Sequence, residues 1–325
     1  MKVVRWGMVG CGDVTTKKSG PAYSKVAGSK LVAVASRRPS SARSYASMHG
    51  IEHVFEDPEE LIRSPEVDAV YIATPPSSHR ALAVRVAEAG KPCCVEKPLA
   101  MCHAEAVEML SAFEAAKRPL FVAYYRRSLP RFEHLKRWIA ADAIGDLRHV
   151  HWALARAPTA ADLSGAPNWR TDRKEAPGGY FEDLACHGLD LFDFLVGPIV
   201  EASGVSRNQQ KLYEVPDAVA ASWSHQGGAT GSAFWNFAAF GKSDEVQIIG
   251  SRGRIKFSIF DEAPVVLETN AGTEAVEIAN PDPIQLHHVE KMIRHLSGEG
   301  LHPSLGESAA RTELVADQIL GRPGE

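Results

Sequence analysis

The chain opens on a regular alternation in which short, continuous apolar runs are separated by segments with helical spacing. Residues 3–10 form the first run and end in a glycine turn, after which a helix is expected to about residue 27. Further apolar runs at 31–36 and 67–74 precede helices at 39–50 and 79–90, each closed by a glycine. The run at 67–74 is continuous and β-branched, as suits a strand buried on both faces of a parallel sheet. Runs at 92–95 and 119–125 bracket a helix at 104–117. Such an order implies right-handed strand–helix–strand crossovers and a doubly wound parallel sheet.

Near residue 123 the pattern changes. A helix at 131–141 leads into a run at 149–157, a Gly/Pro-rich segment, and a long helix at 180–197. Beyond residue 199, alternating strands dominate, at 218–226, 231–239, 245–251, 254–260 and 264–269. Short strands broken by Gly, Asp and Asn predict an antiparallel meander, packed by helices on one face. Helices at 284–296 and 307–320 close the chain, and the last is expected to pack back on the first domain. At 325 residues the chain exceeds the usual size of one hydrophobic core. The expected fold class is therefore α/β. A doubly wound Rossmann domain spans 1–122, and an α+β domain on a mainly antiparallel sheet spans 123–325.

Composition narrows the partners. A net charge of -4 with no basic run argues against nucleic acid. No apolar stretch approaches the length of a membrane span, and the N-terminal segment lacks the features of a secretory signal. The five cysteines (Cys11, Cys93, Cys94, Cys102, Cys186) have no framework spacing and read as reduced thiols in a cytoplasmic protein.

Gly10, Cys11, Gly12, Asp13 and Val14 follow a strand and precede a helix. The two glycines match the start of a dinucleotide fingerprint, one for the tight turn and one for close approach of a pyrophosphate. The third glycine is replaced by Thr15. The second strand ends in Ser36, Arg37 and Arg38, where NAD-preferring sites place a carboxylate for the ribose hydroxyls. Ser and Arg instead suit a 2′-phosphate, so NADP(H) is expected in preference to NAD(H). The alternative is a solvated pair of arginines at a strand end.

Three further motifs narrow the reading. Ala73-Thr74-Pro75-Pro76 with His79 follows the strand at 67–74. Glu96-Lys97-Pro98 follows the strand at 92–95. A segment from Gly178 through Asp183 and His187 to Asp190 follows the mid-chain loop. In this order and spacing they resemble the Gfo/Idh/MocA oxidoreductases, the relatives of glucose–fructose oxidoreductase and inositol dehydrogenase, over almost the whole chain. The resemblance implies an active site between two domains with nicotinamide near Lys97, and a C-terminal sheet whose open face forms a dimer or tetramer interface. It also implies cofactor contacts from Ala73, Thr74, Pro75, His79, Glu96, Trp169 and Arg170. Substrate contacts fall to Tyr125, Arg126 and Arg127, with core packing and surface solvation as the alternatives for those three.

The chemistry also follows from the residues. Asp183 and His187 are four apart in a helical stretch and share one face. A free imidazole titrates near neutral pH, so His187 could pass a proton as a hydroxyl becomes a carbonyl. Asp183 can fix its tautomer or bind a neighbouring hydroxyl. Lys97, at the carboxyl end of a parallel strand, can stabilise an alkoxide or move the proton itself. Which of Lys97 and His187 is the acid/base stays open. No further ligand joins Asp183, His187 and Asp190, so no metal is expected. The leading expectation is hydride transfer between NADP(H) and a sugar-like or polyol compound. The rivals are glycoside hydrolysis with a tightly held NAD, and a non-enzymatic dinucleotide sensor.

Overall fold

The structure is a computed structural model that describes residues 3–322; Met1 and Lys2 of the N-terminal segment lie outside it. The chain forms two compact units. Among the described residues, the first comprises 3–100, 104–129 and 281–309, and the second 101–103, 130–280 and 310–322.

In the first unit six strands make one parallel sheet: β1 (Val4–Val9), β2 (Ser29–Ala35), β3 (His53–Phe55), β4 (Ala69–Ile72), β5 (Cys93–Val95) and β6 (Leu120–Val122), in the order β3-β2-β1-β4-β5-β6. The order reverses beside β1, creating the crevice where doubly wound sheets bind ligands. Helices α1 (Gly20–Lys25), α2 (Pro39–His49), α3 (Pro58–Arg63), α4 (His79–Glu88) and α5 (His103–Ala116) alternate with the strands. Their ends obey local rules. Proline opens α2, and Gly50 closes it at φ 65°. The carboxylate of Asp57 caps α3 by accepting from the Glu59 amide. All four residues of β4 are buried, as its unbroken apolar run requires.

The division is not the single break at residue 123 that the change of pattern suggests. Residues 281–309 follow the second sheet in sequence yet belong to the first unit. It is α9 (Leu286–Leu296) that packs there. Its Val289, Met292 and Ile293 join Trp6, Tyr23, Tyr71 and Phe121 in one apolar core. The final helix α10 (Gly306–Leu320) lies from residue 310 onward in the second unit.

The second unit carries an eight-stranded sheet. Its strands are β7 (Leu147–Arg156), β8 (Ile199–Arg207), β9 (Ala218–His225), β10 (Thr230–Asn236), β11 (Lys242–Gly250), β12 (Gly253–Phe257), β13 (Val265–Thr269) and β14 (Gly272–Val276), ordered β14-β13-β12-β11-β7-β10-β9-β8. Every pairing is antiparallel except β7 with β10. Helices α6 (Pro130–Ala140), α7 (Ala160–Ser164) and α8 (Tyr180–Val196) complete the unit. Trp152, Trp223 and Trp235 on the sheet meet Phe181 and Phe192 of α8, and this aromatic core fixes where α8 lies. Trp152 passes so close to α8 that a Cβ on Gly188 would meet its ring at 2.3 Å. Glycine is required there.

Candidate active site

The carboxyl edge of the parallel sheet gathers most of the sequence-predicted cofactor residues. The Gly10 amide bonds to Ala35 O at the end of β2, the Ala73 amide to Val9 O, and the Glu96 amide to Ile72 O. The glycine turn, the end of β2, the loop after β4 and the Glu96-Lys97-Pro98 turn therefore lie along one edge.

Gly10 has φ 106°, and an added Cβ would lie 2.5 Å from Ala73 O, so the turn admits no side chain. Gly12 differs: nothing lies within 4 Å of the Cβ it lacks. That open space beside an exposed turn is what close approach of a pyrophosphate needs, so the residues present fit a dinucleotide. Asp13 and Val14 are exposed beside it, while Cys11 faces Ala35 O and burial pushes its thiol up to about 12.

The continuous helix expected after the turn is interrupted. Residues Thr15–Ser19 form a π-helical turn before α1 begins at Gly20. Thr15 is buried and donates its hydroxyl to Gly12 O at 2.7 Å. The close packing expected of a third glycine falls to Gly20, where a Cβ would lie 2.0 Å from Tyr45 Oη and 2.5 Å from Thr15 O.

At the end of β2, Ser36 is half-buried and Arg37 and Arg38 are exposed. Arg43, Arg63, Arg80 and Arg85 of the same unit pair with glutamates. Among the described residues Arg37 and Arg38 have no such partner. Thr74 accepts from Ser78 at 2.8 Å in the half-buried loop after β4 that also holds Pro75. His79 is fully buried, with Nε2 2.9 Å from Thr74 O and Nδ1 3.0 Å from Pro98 O. Burial lowers its pKa against the pull of those carbonyls. Its nitrogens clamp two loops together, and they face backbone rather than solvent.

Glu96 is likewise buried. One carboxylate oxygen accepts from Tyr71 Oη at 2.6 Å and from Gln285 Nε2 at 3.2 Å, and the other accepts the Lys97 amide at 3.2 Å. The half-buried Lys97 thus stands on a turn whose preceding side chain is anchored in the core. Tyr71 and Gln285 are neighbours of the candidate site that no sequence motif marks. Gln285 lies 189 residues from Glu96, and no local pattern connects them. Tyr125, Arg126 and Arg127 form a buried helical turn after β6, which removes surface solvation as their role. Arg127 donates to Pro303 O at 3.2 Å, and Arg126 lies over the Tyr125 ring.

In the second unit, Asp183 and His187 stand one turn apart on α8. They are only 6% and 5% exposed, so they are not a solvated surface pair. Arg170 Nε donates to Asp183 Oδ2 at 2.7 Å, and its guanidinium lies over the Trp169 ring at 4.5 Å. The loop, the indole and the carboxylate are therefore one assembly. His187 meets Phe260 edge-on at 5.8 Å. Among the described residues no group of three His, Cys, Asp or Glu side chains is arranged to hold a metal, and no helix is long and apolar enough to cross a membrane.

Comparison with known proteins adds the decisive observation. Residues 4–124 match the model of an oxidoreductase family with an NAD-binding Rossmann fold, and residues 132–256 match the GFO/IDH/MocA C-terminal domain. An oxidoreductase of Formosa agariphila is 32% identical over 321 residues, 98% of each chain. The chain belongs to the Gfo/Idh/MocA oxidoreductase family. It is an oxidoreductase with an NAD(P)-binding Rossmann domain.

Three further proteins match at lower identity. Myo-inositol 2-dehydrogenase of Thermotoga maritima is 28% identical over 275 residues, 83% of this chain and 79% of that one. A structure of levoglucosan dehydrogenase in complex with NADH superposes with a TM-score of 0.88 at 23% identity, covering 98% of this chain and 96% of that one. An oxidoreductase structure from Thermotoga maritima gives 0.87 at 22% identity, with 98% and 96% covered. These likenesses are of fold.

Proposed function

We propose that this family member is an NADP(H)-dependent oxidoreductase that moves a hydride between nicotinamide and a CH–OH carbon of a sugar-like or polyol substrate. The reading is carried by the burial of Asp183 and His187 on one face of α8. Taking a carboxylate and an imidazole out of water costs stability unless partners or chemistry require it. Bound nicotinamide supplies the two-electron chemistry that side chains lack. In the oxidative direction bound nicotinamide would take the carbinol hydrogen as hydride, and Lys97 as the free amine or His187 as the neutral imidazole would take the hydroxyl proton. The products are a carbonyl compound and reduced cofactor.

Asp183, held by Arg170, binds a neighbouring substrate hydroxyl or orients His187. Gly10 through Val14, with Ala73, Thr74 and Pro75, cradle the dinucleotide, and Trp169 offers it or the substrate an aromatic face. Tyr125, Arg126 and Arg127 serve the polyhydroxylated ring. The relatives named for myo-inositol and levoglucosan support this substrate class. The exposed Arg37 and Arg38, free of acidic partners among the described residues, support NADP(H) over NAD(H). Five free cysteines support a reducing, cytoplasmic setting. Val205, Ala220 and Phe234 are exposed register partners across β8, β9 and β10, and this apolar row supports a homo-oligomer built through the second sheet.

Steady-state kinetics with myo-inositol and levoglucosan test the reading. The wild type favours NADP+ over NAD+ by about tenfold or more in kcat/KM. Replacing both Arg37 and Arg38 by alanine removes that preference, as loss of charge-assisted hydrogen bonds predicts. Equal or better use of NAD+ by the wild type overturns the cofactor assignment.

A further inference from the structure

We propose that Tyr180 is a positioning residue whose hydroxyl ties the loop of residues 159–175 to the first turn of α8, and so fixes the Arg170–Asp183 ion pair. The inference rests on the proposed role of Asp183. Its basis is a closed ring of hydrogen bonds that begins and ends on α8. Tyr180 Oη donates to Asp162 Oδ1 at 2.9 Å and accepts from Asn168 Nδ2 at 2.8 Å. Asn168 Oδ1 accepts the Arg170 amide at 3.2 Å, and Arg170 Nε closes the ring on Asp183 Oδ2.

Asp162 and Tyr180 are each held by further contacts as well. Asp162 Oδ2 accepts the amide and hydroxyl of Thr159 in the capping box of α7, which leaves Oδ1 for the tyrosine. The Tyr180 ring packs beside Phe237 at 5.3 Å and Tyr213 at 6.1 Å. Burial first, then Asp162, pushes its phenol up to about 12, so it stays a donor across the working range of an enzyme. Without the hydroxyl, Asn168 loses its acceptor and Asp162 loses a donor, while the aromatic contacts survive in phenylalanine. The loop has little other regular structure to hold Arg170: five residues of α7 and a three-residue turn at Trp169–Thr171. The hydroxyl therefore acts on Asp183 through the loop.

The test compares wild type, Tyr180→Phe and, as a second cut of the same ring, Asn168→Ala. Amide hydrogen exchange of residues 168–172 is followed in each, together with turnover of NADP+ and either myo-inositol or levoglucosan. We expect about tenfold faster exchange in both variants and about a tenfold fall in kcat/KM for the polyol, at an unchanged KM for NADP+. In an Asp183→Asn background, Tyr180→Phe speeds exchange again but lowers kcat/KM no further. Wild-type exchange in the variants, or additive losses with Asp183→Asn, overturns the positioning role. Should the wild type oxidise neither polyol, the proposed function fails for these substrates, and the exchange comparison alone decides whether Tyr180 holds the loop.

Discussion

Tyr71 donates its hydroxyl to Glu96 at 2.6 Å, one residue before Lys97. The tyrosine is fully buried and stacked on Tyr23 at 4.7 Å, so its ring cannot follow the carboxylate if the turn shifts. Removing the hydroxyl leaves a buried carboxylate with one fewer donor, at a cost of about 1.5–3 kcal/mol for a hydrogen bond to a charged group. Tyr71→Phe should lower denaturation stability by that amount and reduce kcat through a less firmly held Lys97. Wild-type stability and kcat in the variant would show that Gln285 alone suffices.

The two glycines of the first turn should separate folding from binding. Gly10→Ala forces a side chain into a positive-φ position against Ala73 O and should cost about 1–3 kcal/mol of stability. Gly12→Ala meets no atom within 4 Å, so its stability should stay within about 0.5 kcal/mol of wild type. Its affinity for NADP+ should nevertheless fall about tenfold or more, because the methyl group occupies the space the pyrophosphate needs. Calorimetric titration beside thermal melts reads both effects. Unchanged NADP+ affinity in Gly12→Ala would remove the turn from the cofactor site.

The strands buried in the parallel sheet were legible because their apolar runs are unbroken, as in β4. The long helix α8 is legible from the helical spacing of its residues. Edge elements were not. β8 buries only Ile199 among its nine residues and β14 buries none of its five, so neither carries the alternation that marks a strand. The three-residue β3 is too short to show a period. Among the candidate site residues, Lys97, Asp183 and His187 stand out in the sequence by motif and spacing. Gln285, Tyr71 and Tyr180 carry no such mark, because their contacts to Glu96 and Asp162 exist only in the fold.

Buried histidines set the response of stability to acid. Burial lowers the pKa of His302 to about 3 and lowers His288, His225 and His79 as well. In the unfolded chain each returns to about 6.5. Between the two values the unfolded state binds the proton and the folded state does not. Stability is therefore full above about pH 6.5 and declines as pH falls toward the folded values. His302 alone should cost about 2 kcal/mol at pH 5. Urea midpoints from pH 7.5 to 5 should show the decline, and His302→Asn should flatten it by about one proton. An unchanged slope in that variant would mean the imidazole is protonated in the folded state.

Lys97→Ala and His187→Ala test the proton-handling assignment. Each should lower kcat by about 100-fold or more, the usual worth of a positioned acid or base. If the two groups serve one proton transfer, the double variant should be little worse than the poorer single one. Fully multiplicative losses would assign them to separate steps, and near-wild-type turnover in either single variant would remove that residue from the chemistry.

The most direct measurement follows the hydride itself. Myo-inositol and levoglucosan carrying deuterium at their carbinol carbons are incubated with NADP+ and the wild-type protein, and the recovered cofactor is examined by mass spectrometry. One deuterium on each NADPH formed, one oxidised polyol for each, and the loss of both in Lys97→Ala are expected. Label released to water, or cleavage of a glycoside with no net reduction of the cofactor, would contradict the proposed hydride transfer.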